Sequence, residues 1–208
     1  MIDVKEQLQE IRTLNKPSQN AQIQQLKVGG FIEFDDATFK VMAVSKYLEV
    51  KWGNFKKKKR EYWVTELQLL NLLSGEKSFI EWEFDDELEI SKTLSQIKLT
   101  AITCGSAPLT RKHLDDIAEE EHGTVHYQGV DYHYSEDDTW AALYYPRVES
   151  EPLQVRLYEF GSADDQYLTI ELWQDEDSKP EREAFISMEL SHKEISILQI
   201  ASSGDPKG

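Results

Sequence analysis

The chain has little cysteine and no long apolar run, and each of these absences excludes a class of protein. Its 208 residues include one cysteine, Cys104, so neither an internal disulfide nor a thiolate metal cage can form. A single thiol is typical of a reducing compartment, and we expect a cytoplasmic protein. The N-terminal residues lack the basic and apolar regions of a signal peptide, and no apolar run is long enough to span a membrane.

Positive charge is scarce relative to negative charge. The chain has 23 Lys and Arg against 39 Asp and Glu, which gives a formal net charge of -16. Most of the excess lies in residues 105–208, because residues 1–104 are nearly balanced. Binding to phosphates depends on clustered cations, so this composition argues against nucleic acid as a partner. We expect an acidic protein that does not bind nucleic acid.

Motifs that would frame a cofactor or a metal ion are missing as well. The Gly-x-Gly-x-x-Gly spacing does not occur, and Gly29 and Gly30 lead into a predicted strand. His122, His126 and His133 are close in sequence, and three imidazoles can ligate a metal. No HExxH-like helix frames them, so the sequence predicts neither a cofactor nor a metal site.

What the chain does contain is a self-similar middle section. A shift of 93 residues brings like residues onto one another, and a fixed period of this kind indicates a repeated structural unit. The matched residues are Gly30, Ile32, Phe34, Phe39, Val50, Trp52, Val64 and Glu66 with Gly123, Val125, Tyr127, Tyr132, Leu143, Tyr145, Leu157 and Glu159. We therefore interpret the chain as a duplicated β unit.

Apolar and polar residues alternate in both of these sections, which is typical of half-buried β-strands. The predicted fold is mainly β: two fused, pseudo-repeated antiparallel β-meanders, barrel-like or sandwich-like, with a short N-terminal helix and one linking helix. The predicted boundaries are residues 1–26 for the N-terminal helix and connector, 27–104 for β repeat 1, 105–122 for the linking helix, 123–200 for β repeat 2 with its closing strands, and 201–208 for a disordered tail.

Four short motifs resemble a known family. They are Val28-Gly29-Gly30-x-Ile32, Tyr62-Trp63-x-Thr65-Glu66-Leu67, Ser74-Gly75-Glu76-Lys77-x-Phe79-Ile80-Glu81 and Tyr158-Glu159. They resemble the uncharacterised bacterial domain of unknown function numbered 4178, over residues 26–200. The resemblance implies a β-rich cytoplasmic domain, linked in its relatives to phage-shock-type envelope maintenance proteins and polyamine synthase-like proteins. It implies no catalytic residues, and the cysteine-rich N-terminal ribbon of some relatives is absent from this sequence.

Five adjacent cations form the sharpest local feature of the sequence. Lys56, Lys57, Lys58, Lys59 and Arg60, here called the basic run, are predicted at a hairpin tip, where solvent or anions relieve their mutual repulsion. The basic run is the predicted partner-binding site, for another protein or an anionic membrane surface. A solvated tip that blocks edge pairing is the alternative. The equivalent tip, residues 146–152, is acidic, which leaves self-association open.

Two glutamates occupy equivalent positions in the predicted repeats. Glu66 and Glu159 would approach each other across a pseudo-twofold axis, and paired carboxylates can serve acid–base chemistry or hold a cation. The alternative is a strand residue that fixes a turn or meets a neighbouring cation in each copy. This pair is the predicted site in a cleft between the repeats.

These features favour a non-catalytic interaction or adaptor module over an enzyme. The adaptor would use the basic run, and the family resemblance implies an envelope-stress context for it. The alternative is a small-ligand binder or an enzyme that uses the cleft between the repeats, with Glu66 and Glu159.

Overall fold

The structure is a computed structural model, which describes residues 22–134, 139–147, 149–174 and 182–201. The described residues are mainly β, with fourteen strands in one antiparallel sheet and one α-helix. The predicted N-terminal helix and C-terminal tail lie almost entirely outside the described residues. No helix in the described ranges is long and apolar enough to cross a bilayer.

The strands vary widely in length, from 2 to 18 residues. In chain order they are β1 Phe31–Phe34, β2 Ala37–Lys51, β3 Asn54–Asn71, β4 Lys77–Phe84, β5 Leu88–Ile97, β6 Thr103–Cys104, β7 Ala107–Pro108, β8 Gly123–Tyr127, β9 Val130–Tyr134, β10 Thr139–Tyr145, β11 Leu153–Gly161, β12 Gln166–Gln174, β13 Arg182–Glu189 and β14 Ser196–Gln199. Helix α1, Arg111–Glu120, is the predicted linking helix. It begins after Thr110, whose hydroxyl accepts the backbone N–H of His113.

Eight strands close into a ring. Neighbours along the sheet are β2, β3, β4, β5, β13, β12 and β11 in that order. Strand β10 then pairs with both β11 and β2, which returns the path to its start. A closed path leaves no unpaired edge within these eight strands. They are called the ring below, and the remaining strands extend the sheet outside it.

The two halves of the ring have matching strand registers. In β2–β3, Tyr47 pairs with Val64. In β10–β11, Trp140 pairs with Leu157, and each residue lies 93 positions further along the chain. The pairing of β10 with β11 therefore follows the shift seen in the sequence.

The halves meet directly where β2 pairs with β10. Glu49 lies opposite Ala142 in this ladder, and these two residues are themselves 93 positions apart. An antiparallel ladder centred on equivalent residues has the register expected of two like meanders that meet about an approximate twofold axis. The opposite seam of the ring is the pairing of β13 with β5.

The apolar core lies mostly outside the ring. On β12, Leu168, Ile170 and Leu172 pack in a cluster that includes Leu114 and Ile117 of helix α1. A second cluster packs β1, β14 and the turn Ile23–Gln25 against the other half. Because successive strand side chains point to opposite faces, the alternate residues of the same strands face the interior of the ring.

The structure corrects one local prediction and adds a strand that the sequence did not predict. The predicted hairpin tip is wrong, because the β2–β3 turn is at Trp52 and Gly53 and the basic run lies within β3. Strand β5 was not predicted from the sequence. Its apolar alternation is broken by a bulge, since Ile186 pairs with Ser95 but Ser187 pairs with Thr93.

Gly30 provides a test of the packing beside β14. A Cβ at this position would lie 2.5 Å from the carbonyl oxygen of Ile200 and 2.9 Å from that of Gln199. Backbone atoms cannot move aside without displacing the strand, so we expect Gly30→Ala to lower the free energy of unfolding by about 1–3 kcal/mol. Urea denaturation measures this change. Gly53→Ala is the control, because nothing lies within 4 Å of its added Cβ. Equal losses in the two variants would contradict the close approach.

Candidate functional site

The ring encloses two adjoining cavities. The smaller, of about 360 Å³, is called the acidic cavity, and the larger, of about 850 Å³, is called the wide cavity. Both are lined by Glu81, Thr169 and Ser187, so they meet near the middle of the ring. The interior is therefore a continuous candidate site between the two halves of the sheet.

Carboxylates dominate the charge of the acidic cavity. Glu66, Glu81, Glu171 and Glu183 line it from four different strands. No Lys, Arg or His is among its described lining residues. Four acids without a cation in an enclosed space are electrostatically unfavourable, because burial and like charges both oppose ionisation.

Aromatic residues form another part of the same cavity wall. Tyr47, Tyr144 and Trp173 belong to an apolar cluster inside the ring and also line the acidic cavity. The ring centroids of Tyr47 and Tyr144 are 4.8 Å apart, and those of Tyr144 and Trp173 are 5.0 Å apart. The acidic cavity thus combines a charged wall with a packed aromatic wall.

Strand alternation explains why these acids face inwards. On β12, Ile170 and Leu172 are fully buried in the outer core, and Glu171 between them points to the cavity. On β4, Ile80 packs in the other outer cluster, and Glu81 follows it on the inner face. The apolar residues pack on the outer face of each strand. The glutamates next to them in sequence must therefore point to the inner face.

Two tyrosines donate hydrogen bonds to the acids. The Tyr47 hydroxyl donates to Glu171 Oε1 over 3.2 Å, and the Tyr144 hydroxyl donates to Glu66 Oε1 over 3.2 Å. Burial is the main cause that raises the pKa of both phenols, and nearby carboxylates raise it further. Both hydroxyls therefore remain protonated donors. Glu81 differs, because its carboxylate accepts no hydrogen bond from a described residue.

Burial also raises the pKa values of three of the glutamates in the acidic cavity. Burial, followed by the charges of Glu66 and Glu159, raises the pKa of Glu81 to about 8. Burial, followed by the charge of Glu81, raises the pKa of Glu171 well above its ordinary value. The pKa of Glu66 is raised as well, chiefly by burial. At neutral pH the cavity itself therefore holds protons on carboxylates that water would leave ionised.

Part of the basic run closes the rim of the wide cavity. Arg60 donates from Nε to Glu49 over 2.7 Å and from Nη1 to Asp85 over 2.6 Å. Lys59 Nζ lies 3.0 Å from Glu49, whose side chain is only 5% exposed. Two of the five cations thus neutralise a buried acid of the ring. Lys56, Lys57 and Lys58 are exposed and make no ion pair with any residue in the described ranges.

Glu66 and Glu159 both face the interior, but in different cavities. Glu66 lines the acidic cavity and Glu159 lines the wide cavity. Glu81 lines both, and the charge of each of the other two raises its pKa. Glu66 and Glu159 therefore do not share one cavity, but the charge of each acts on Glu81, which lies where the two cavities meet. Glu81 and Glu171 were not predicted as site residues. In the sequence, each lies between two apolar residues of a strand, Ile80 and Trp82 or Ile170 and Leu172, and this pattern could have identified them.

The histidines do not converge on a common point. His126 Nδ1 lies 2.5 Å from Asp131 Oδ1, and His133 Nδ1 lies 3.0 Å from Thr124 Oγ1. The His122 ring lies 2.8 Å from the carbonyl oxygen of Glu120. Within the described residues, no group of three His, Cys, Asp or Glu side chains is arranged to hold a metal ion.

These features define a closed antiparallel β ring with an acidic interior. The family model described as "Domain of unknown function (DUF4178)" matches residues 27–191. The chain belongs to this family, which confirms the resemblance found in the sequence. No curated protein and no solved structure matches the chain.

The shifted pKa of Glu81 predicts how stability depends on pH. Between its ordinary value of 4.5 and about 8, the folded protein holds a proton that the unfolded chain has released. The contribution of Glu81 to stability is therefore fully present below about pH 4.5 and is lost as the pH rises towards 8. Glu81→Gln cannot ionise, so we expect its advantage over the natural chain to grow by roughly 2–4 kcal/mol between pH 5 and pH 8.

Urea denaturation at pH 5, 6.5 and 8 measures this difference. Glu76→Gln removes an equal charge from an exposed loop and serves as the control. Parallel pH profiles for Glu81→Gln and the natural chain would show that Glu81 ionises in the folded protein as it does in water.

Proposed function

We propose that the chain is a small-ligand-binding module whose ligand occupies the interior of the ring. The observation that carries this proposal is the acidic cavity, which is lined by four carboxylates and by no cation among the described residues. Closed eight-stranded sheets fill their interior with side chains or hold one small ligand. Burying four carboxylates without a cation costs stability, and a positively charged ligand would lower that cost, which supports a binding role for the cavity.

The proposal is binding, with catalysis as the alternative at the same residues. The polar groups that reach the acidic cavity are mainly carboxylates and protonated phenols. Carboxylates attract positive charge and accept hydrogen bonds, and phenols donate them, so together they recognise a polar molecule. An enzyme with the same lining would convert its ligand, whereas a binding module releases it unchanged.

The position of the cavity fits the predicted organisation of the chain. We propose that the two halves of the ring are divergent copies of one meander, which is supported by their matching registers and the 93-residue shift. The ligand would then lie between the copies, as the sequence suggested for Glu66 and Glu159. A cytoplasmic location remains a proposal, based on the single cysteine.

A substitution at the junction of the cavities tests the binding role. Ser187 lines both cavities, so a phenyl group in Ser187→Phe would project into the junction between them and obstruct it. We expect protein purified from its native cells to carry a bound small molecule that Ser187→Phe has lost, as measured by native mass spectrometry. Ser95→Phe, at an exposed position of the neighbouring strand, is the control and should keep the molecule. Identical spectra for the natural chain and Ser187→Phe would contradict the proposal.

A second candidate function is suggested by the exposed part of the basic run. Lys56, Lys57 and Lys58 make no ion pair in the part of the chain that the structure describes, and they lie on an exposed segment of β3. We propose that this segment binds an acidic partner, either another protein or an anionic membrane surface. It would give the adaptor role that the sequence favoured, in the envelope-stress context implied by the family resemblance.

Vesicle sedimentation tests the membrane form of this second proposal. Each lysine near an anionic surface contributes about 1 kcal/mol, so replacing Lys56, Lys57 and Lys58 by Ser should weaken binding to phosphatidylserine vesicles by roughly a hundredfold. The control replaces three other exposed lysines, Lys27, Lys77 and Lys98, and makes the same change in net charge. Equal sedimentation of the two variants would exclude a specific role for the basic run.

A further inference from the structure

We infer that the ligand of the ring is a small protonated amine, whose ammonium group binds Glu81 in the cavity that Glu66 and Glu171 also line, and whose apolar part lies against the aromatic wall. This inference rests on the proposed function, because it names the ligand class for the same cavity. Three observations support it: the negative charge of the lining, a Glu81 carboxylate that accepts no hydrogen bond from a described residue, and the aromatic side chains in the wall of the same cavity.

The charge of the lining selects for a cation. The acidic cavity has four carboxylates and no described Lys, Arg or His, so an anion entering it would meet only like charge. A neutral ligand would leave the acids without compensation. A ligand with one positive charge instead stabilises the ionised form of the carboxylates around it. Selectivity against anions therefore follows from the lining itself.

The hydrogen bonding of Glu81 selects an amine among cations. Glu171 and Glu66 each accept a hydrogen bond from a tyrosine, but Glu81 accepts none from a described residue. A protonated primary amine brings three N–H donors to this acceptor. A quaternary ammonium brings none. A metal ion is disfavoured, because the acids in the described ranges form no group of three at metal-binding geometry.

The aromatic wall indicates an apolar body on the amine. Along the acidic cavity, Tyr144 and Trp173 pack edge to face and Tyr47 and Tyr144 pack at a tilt. Aromatic faces contact aliphatic groups and attract cations within about 6 Å of the ring centroid. A molecule with an ammonium group at one end and a hydrocarbon body at the other matches both walls.

Binding of a cation should displace a proton from the cavity. Burial and like charge raise the pKa of Glu81 to about 8, so the empty cavity is partly neutralised by protons at pH 7. The titratable groups that face this space or act on Glu81 are Tyr47 and Glu49 on β2, Lys59, Arg60, Tyr62 and Glu66 on β3, Glu83 on β4, Glu87 and Glu89 at the start of β5, Tyr144 on β10, Glu159 on β11, Tyr167 and Glu171 on β12, and Glu183 and Glu189 on β13. Because these groups interact, the proton that is released on binding cannot be assigned to one side chain and comes from the set as a whole.

Three probes with the same cyclohexyl body and different charge test the inference: cyclohexylammonium, cyclohexanol and cyclohexanecarboxylate. Isothermal titration calorimetry of the full chain at pH 7, in two buffers of different ionisation enthalpy, gives both affinity and proton release. We expect the amine to bind roughly tenfold to a hundredfold more tightly than the alcohol, since a charge-assisted hydrogen bond accounts for such a difference. We expect no binding of the carboxylate, and proton release with the amine alone.

Variants and a fourth probe identify the role of Glu81. Glu81→Gln should weaken binding of the amine roughly tenfold and abolish most of the proton release, while binding of the alcohol stays the same. Glu76→Gln, at an exposed position, should change neither. If Glu81→Gln does not fold, Glu66→Gln replaces it in the same comparison. The N-trimethyl form of the amine should bind more weakly, because it has no N–H donor.

The failures of the two proposals can be told apart. Equal binding of alcohol and amine to the natural chain, blocked by Ser187→Phe, would overturn the amine inference and retain the ligand-binding function. Equal binding of the trimethyl form would overturn the role of N–H donation to Glu81. Absence of binding by all four probes would overturn the amine inference. If the natural chain also carried no bound molecule in native mass spectrometry, the ligand-binding function would fall with it.

Discussion

The double pairing of β10 is the contact on which the rest of the structure depends. Because β10 pairs with β11 on one side and with β2 on the other, an open sheet becomes a closed ring with an inside. In an open sheet, the inner faces of β3, β4, β12 and β13 would be washed by water, and their glutamates would be ordinary surface acids. Closure turns the same residues into a cavity lining with shifted pKa values.

Stability and the acidic interior are arranged on opposite faces of the same strands. The fully buried side chains Ile80, Leu168 and Ile170 pack outside the ring, where helix α1 and the outer strands cover them. This outer core buries apolar surface on the face of these strands that does not carry the carboxylates. The interior can therefore hold carboxylates that no small apolar core would tolerate. Burying these carboxylates lowers the stability of the closed sheet, and a bound cation would reduce that loss.

Much of the fold could be predicted from the sequence, and the site only in part. Local alternation of apolar and polar residues predicted most strands, and the 93-residue shift predicted two fused β-meanders. The bulge at Thr93 and Ser187 broke the pattern that would have predicted β5. The site depends on which distant strands become neighbours, since β5 and β13 pair across about ninety residues of chain. No local pattern contains that information, so Glu66 and Glu159 were found and Glu81 between them was not.

The two seams of the ring have a consequence for each half on its own. One half supplies β2 to β5 and the other β10 to β13, and each seam joins a strand of one half to a strand of the other. A single half would expose two unpaired strands, which invite pairing with another chain. Two identical halves related by a twofold axis could pair their edge strands with each other in the same way. Because the two halves are joined in one chain, each seam is closed within the chain, and the two sides of the interior carry different side chains.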